Sequence, residues 1–213
     1  NGGLIMAVIS NGTTIADAGA FSVSLGSMVH IKTLTASNSG DLSFVHGSSG
    51  VVLNNTYPIY LFKFINIHPA SHIELAFNAS TDTGSSYNVA KTTTTTSAYH
   101  GEGGQTGGNN SFYYIDEDLA QGTGVARISG NCYTDNDSSI SGEMYLFNPA
   151  STTYVKHFIS TTQRMDYSSV AYTNQWACGG YLNTTSAVDA IQFSMVSGNM
   201  DAGTIKLYGI KDS

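Results

Sequence analysis

Three acids in succession, Asp116-Glu117-Asp118, and the nearby pair Asp135 and Asp137 are the first residues whose chemistry needs weighing. Two carboxyl groups placed across a glycosidic bond hydrolyse it, one as acid and the other as base or nucleophile. Consecutive acids repel one another, and both clusters stand beside turn-forming residues, so solvated loops are the expectation for both. Asp135-Asn136-Asp137-Ser138 has the opening of a calcium loop, without the Gly at its sixth position or the Glu at its twelfth. His68 and His72 are four apart, a spacing that brings two imidazoles to one zinc on a helix. Pro69 and the flanking strand text set them on either side of a turn instead. His157 shares a face with Val155 and Ile159 and is expected as a hydrogen-bonded histidine of the core or of an interface. No Gly-x-Ser-x-Gly elbow and no Gly-Lys-Ser/Thr phosphate loop occurs. The sequence therefore assigns no catalytic residue, no metal ligand and no cofactor.

Cys132 and Cys178 match no metal spacing. Buried thiols are expected, with a long-range disulfide left open. The rest of the composition narrows the class. Only 11% of the 213 residues are charged, the net charge is −7, and the pI is near 5.1. Exposed helical turns need Glu, Lys and Arg, so an all-α fold is excluded. Without a Lys/Arg cluster to neutralise phosphates, a nucleic-acid partner is not expected. No apolar run approaches the ~20 residues of a membrane helix, so membrane insertion is not expected either. The patch Leu4 to Ile9 is too short, and lacks the basic leader, for a secretory signal.

The elements that must carry these side chains are strands. Ile73-Leu75-Phe77, Val155-His157-Ile159, Ile191-Phe193-Met195 and Ile205-Leu207 alternate apolar with polar or small residues. The Thr92 to Thr96 run reads as an exposed or two-sided strand, since β-branched hydroxyl residues favour wet sheet faces. Ser80-Thr81-Asp82-Thr83-Gly84, Asn148-Pro149-Ala150-Ser151 and Val196-Ser197-Gly198-Asn199 read as turns, and Gly101 to Asn110 as an exposed loop. About a dozen strands between Met28 and Ile210 point to an all-β protein, an antiparallel two-sheet β-sandwich of jelly-roll type. Residues 1–25 are expected as an N-terminal arm and 26–213 as the sandwich domain. Ile59 to Ile67 is apolar on both faces, with Leu61, Ile65 and Ile67 on one and Tyr60, Phe62 and Phe64 on the other. The expectation is that Tyr60, Phe62 and Phe64 line the interface of a homo-oligomer.

The segment Tyr145-Leu146-Phe147-Asn148-Pro149-Ala150-Ser151-Thr152-Thr153-Tyr154-Val155-Lys156, then Ala187 to Phe193, then Gly203-Thr204-Ile205-Lys206-Leu207-Tyr208-Gly209-Ile210, resembles virion structural proteins of tailed bacteriophages, marine ones especially. Tyr60 to Ser71, with Ser80-Thr81-Asp82 and Gly84-Ser85-Ser86-Tyr87, fits the same pattern. The likeness spans roughly residues 57–210 and is most specific in the closing Gly-Thr-Ile-Lys-Leu-Tyr-Gly-Ile. It implies a non-enzymatic tail-fibre, head-fibre or capsid-associated protein on the virion surface, contacting other virion proteins. Analogy with phage fibres favours a trimer. It transfers no catalytic or binding residue. Two rival readings stay open. One is a carbohydrate- or receptor-binding module, with Tyr113, Tyr114, Tyr167, Tyr172 and Trp176 as a platform for a host-surface glycan. The other is a polysaccharide depolymerase using two of the acids named above.

Overall fold

Period-two text becomes strand throughout the computed structural model. It describes residues 8–10, 13–17, 20–21, 27–104, 111–113, 117–167 and 170–211, with backbone alone for 8–10, 13–17, 20–21 and 111–113. The strands are β1 (Val8–Ser10), β2 (Thr13–Asp17), β3 (Ala20–Phe21), β4 (Met28–Thr35), β5 (Asp41–Val45), β6 (Ile59–Pro69), β7 (Leu75–Ser80) and β8 (Lys91–Gly101). They continue with β9 (Ser111–Tyr113), β10 (Ala126–Arg127), β11 (Ile140–Phe147), β12 (Lys156–Tyr167), β13 (Ala171–Leu182), β14 (Ala190–Met195) and β15 (Met200–Ile210). An eight-stranded sheet runs β4-β15-β6-β11-β12-β13-β8-β9 and a four-stranded sheet β10-β7-β14-β5. Every pairing is antiparallel, so the expected two-sheet β-sandwich is what the chain forms. The pairing is nested: β4 lies against β15, β5 against β14, β6 against β11, and β7 against β10. Among the described residues β1, β2 and β3 form a small sheet of their own that pairs with neither of the others.

The core fills from facing sheets. Phe44 of β5, Phe62 and Phe64 of β6 and Phe193 of β14 meet edge to face, with centroids 5.0 to 5.4 Å apart for the Phe44–Phe62, Phe62–Phe193 and Phe64–Phe193 pairs. Phe77 of β7 meets Phe158 of β12 at 4.8 Å. This corrects the expected subunit contact. Tyr60, Phe62 and Phe64 are buried inside the sandwich, and Tyr60 donates its hydroxyl to the Asn54 carbonyl at 2.8 Å. A strand apolar on both faces spends its bulkier face on its own core. The alternation then breaks at a bulge, where Asn66 takes a φ of 50° and turns Ile67 from the Leu61 face into the core. Opposite lies Gly203, with φ 112°, whose missing Cβ would strike the Ile67 Cα at 2.6 Å. Only glycine fits there.

His157 is also corrected. His157 and Ile159 lie on the outward face of β12, while Lys156, Phe158 and Ser160 point inward, so His157 is exposed and the core reading falls, the interface reading being untouched. The expected turns hold. Thr83 and Gly84 take positive φ after β7, as do Asn148 after β11 and Gly198 between β14 and β15. In the first, the Asp82 carboxylate accepts from Ser80 Oγ and from the Ser86 amide, which holds its carboxyl below the usual range.

Candidate functional site

Four strands face eight, so part of the large sheet's inner surface has no strand over it. From β12 outward that surface carries hydroxyls and amides: Ser160 and Thr162, then Asn174, then Thr93, Thr95 and Ser97, all buried. The chain from residue 117 to 132 covers them and bonds two of their hydroxyls, those of Thr162 and Thr93. Thr162 donates to the Ile128 carbonyl at 2.7 Å, and the Leu119 amide donates to Thr93 Oγ1 at 2.8 Å. Glu117 and Asp118 therefore do not lie in a solvated loop. Glu117 pairs with Arg127 at 2.6 Å, and both Asp118 carboxylate oxygens are buried without a hydrogen-bond partner among the described residues. Asp116 lies outside the described residues. Asp135 and Asp137 are exposed, as expected, in a turn closed by the Ser138 amide on the Asp135 carbonyl at 2.8 Å. Cys132 and Cys178 are buried free thiols, pushed up to about 12 and about 11 respectively, chiefly by burial.

At one end of the sandwich the connections 70–74 and 128–139 converge on Asp166, the last inward residue of β12. Asp166 is only 3% exposed and its carboxylate is fully engaged. Arg164 Nη1 stands 2.5 Å from Oδ2, the Tyr172 hydroxyl donates to Oδ2 at 2.8 Å, His72 Nε2 is 2.9 Å from Oδ1, and the Tyr167 amide donates to Oδ1 at 2.8 Å. A buried carboxylate needs that many donors to offset lost hydration. Burial first, and the bond to Asp166 second, raise the Tyr172 phenol above its ordinary value. The Arg164 guanidinium lies flat against Gly130, where a Cβ would come within 2.6 Å of it. His68 and His72 do not share a site: His68 Nε2 faces the Asp135 carbonyl at 3.1 Å while His72 serves Asp166.

Aromatic rings gather over this network. His72 meets Tyr133 at 5.5 Å, Tyr133 meets Tyr167 at 5.6 Å, and Tyr99 meets Tyr172 at 5.6 Å. Of the expected platform, Tyr167 and Tyr172 come together here. Trp176 does not, because it faces inward from β13 and is part of the core. Tyr113 has only its backbone, in β9, among the described residues, and Tyr114 lies outside them. Sequence reasoning missed Tyr99 and Tyr133 and weighed His72 only for its spacing from His68, not as a partner of Asp166. Their only signal was the Arg164-Met165-Asp166 text, two opposite charges on the inward face of a strand, which demands partners from elsewhere in the chain.

The opposite end handles charge differently. Lys156, Leu182 and Lys91 stand in register across β12, β13 and β8 on the inward face. Lys91 Nζ donates to Asn78 Oδ1 at 2.6 Å and to the Val89 carbonyl at 2.8 Å, and Lys156 Nζ to the carbonyls of Tyr154 and Thr184 at 3.0 and 2.9 Å. Burial pulls the Lys91 ammonium down to about 8 and Lys156 below its ordinary value.

The outward face of the eight-stranded sheet also divides. Near the lysine end, Tyr208, Leu61, Tyr145 and Ile159 lie in one cross-strand row, and Ile210, Ile59 and Phe147 in the next. Ile159 is 55% exposed, Tyr145 stacks on Phe147 at 6.4 Å, and His157 packs on Tyr181. Toward the Asp166 end the same face turns to Thr161, Gln163, Thr173 and Gln175. Comparison with protein-family models, with curated proteins and with solved structures finds no match for this chain.

Proposed function

We propose that this chain is a non-enzymatic structural protein of a tailed-bacteriophage particle, acting on the particle surface in assembly, stabilisation or host attachment. The observation that carries the assembly reading is the apolar band on the outward sheet face, where the exposed Ile159 adjoins the half-buried Tyr145 and Tyr208 and the buried Leu61 between them. Soluble monomers avoid contiguous apolar patches of this kind, and burying one between subunits is favourable by ~25 cal/mol per Å². The homo-oligomer contact is thus the face of β6 opposite Tyr60, Phe62 and Phe64. Three copies are favoured by the analogy with phage fibres. The likeness of residues 57–210 to virion proteins supplies the kind of particle. The nested strand order supports the jelly-roll reading, an architecture that leaves short, managed edges. The separate pairing of β1 to β3 suits an arm, residues 1–25, that docks on other virion proteins.

Ile159→Asp with Tyr145→Ser tests the assembly reading. Light scattering at micromolar concentration should give a multiple of 22.5 kDa for the parent chain and a monomer for the double variant, with an unchanged circular dichroism spectrum. A monomeric parent chain defeats it.

A further inference from the structure

We propose that the Asp166 end is a binding site for a neutral glycan, with a sugar ring stacked on Tyr133 and Tyr167 and its hydroxyls bonded to His72 and the two phenols. The inference does not rest on assembly, since none of these residues belongs to the apolar band.

Three features carry it. First, the rings are exposed where a ligand needs them. Tyr167 is 41% exposed and the His72 side chain 44%, and the Tyr133 and Tyr167 hydroxyls make no hydrogen bond among the described residues. A sugar presents an apolar C–H face to an aromatic ring and hydroxyls at its rim, so a tyrosine answers both at once.

Second, the rings stand on a rigid base. Asp166 bonds His72, Tyr172 and the Tyr167 backbone together, and the Ile73–Cys132 bridge ties the connection bearing Tyr133 to the one bearing His72. Ordering is therefore complete before a ligand arrives, which removes an entropic cost that loop-borne rings would incur.

Third, charge selects the ligand. Arg164 is neutralised by Asp166 at 2.5 Å, His72 faces the same carboxylate, and the nearby exposed charges are the acids Asp135, Asp137 and Asp201. An acidic polysaccharide would be repelled. A quaternary ammonium wants rings around a single point, whereas His72, Tyr133 and Tyr167 form a row with interplanar angles of 74° and 50°. Asp166 is saturated by its four donors and acts as a positioning residue.

The test is a printed array of neutral, sialylated and uronic-acid oligosaccharides, with free choline as competitor, probed with the full chain. Neutral glycans should be retained. Tyr133→Ala and Tyr167→Ala should each weaken that retention by roughly tenfold, the factor equivalent to 1.4 kcal/mol. Tyr154→Ala, an exposed tyrosine at the far end, should bind as the parent does. Circular dichroism and unchanged oligomer mass verify that the variants fold and assemble. Retention of acidic glycans alone, displacement by choline, no retention at all, or equal retention by Tyr167→Ala and the parent would each overturn the proposal.

Discussion

The two halves of the sandwich interior obey different rules. Where β5, β7 and β14 cover the large sheet, the interior is a dry packing of phenylalanines around Phe193. Where the chain 117–132 covers it, the interior is hydroxyl, amide and charge, held by directional bonds such as Thr162 to Ile128. A sheet offers a covering surface whose own backbone is already paired, so apolar side chains suffice. An irregular segment brings unpaired amides and carbonyls, and the face beneath it must supply partners. The Ser- and Thr-rich composition is thus a property of what covers a strand as well as of solvent.

If the dry half is held by volume, removing volume should hurt it most. Phe193→Ala deletes a ring that touches four others and should cost about 4 kcal/mol, measured by urea unfolding. A loss under about 1 kcal/mol would mean the half is loosely packed and the contrast false.

The polar half should fail by orphaned charge rather than by cavity. Asp166→Ala leaves Arg164 buried without its carboxylate and should cost about 3 kcal/mol. The double replacement Arg164→Met with Asp166→Leu should recover most of that loss. A double variant no better than the single one would show that packing, not charge, governs this half.

Lys91 sharpens the comparison with pH. Its folded value near 8 lies below the unfolded 10.5, so the folded chain sheds this proton first. Between those two pH values the unfolded state holds the proton and the folded state does not, so this group adds stability as pH rises through the window. Cys132 and Cys178 act in the opposite sense, since their folded values lie above the unfolded 9.0 and their contribution is lost as pH rises. Subtracting the Lys91→Met curve from that of the parent cancels the cysteines. The difference should rise by on the order of 2 kcal/mol from pH 8 to 10.5. A flat difference would remove burial as the dominant influence on Lys91.

Strand text was legible because alternation is local. Ile191-Phe193-Met195 and Ile205-Leu207 lie inward as their pattern required. What defeated local reading was the choice between faces. Strand β6 offers apolar side chains on both, and the choice of Tyr60, Phe62 and Phe64 for the core depends on Phe44 and Phe193, distant in sequence. In β12 the inward face carries Lys156, Ser160, Thr162, Arg164 and Asp166, so hydropathy could not tell the two sides apart and left His157 open between core and interface. The Asp166 network was invisible for the same reason: His72 lies 94 residues from its partner.

The pairing of β4 with β15 has a mechanical meaning. The Lys211 amide donates to the Ser27 carbonyl at 2.8 Å, so the first and last described residues of the sandwich meet at one corner. Tension applied between residues 27 and 211 loads that antiparallel ladder crosswise, and its hydrogen bonds break in turn from the corner inward. Tension applied between residue 27 and the turn at residues 135–138, beyond the other end of the sheet, loads the β4–β15 and β6–β11 ladders along their length, where many bonds resist together. The same domain is therefore a weak link when held by both ends and a strong one when held by one end and its far turns.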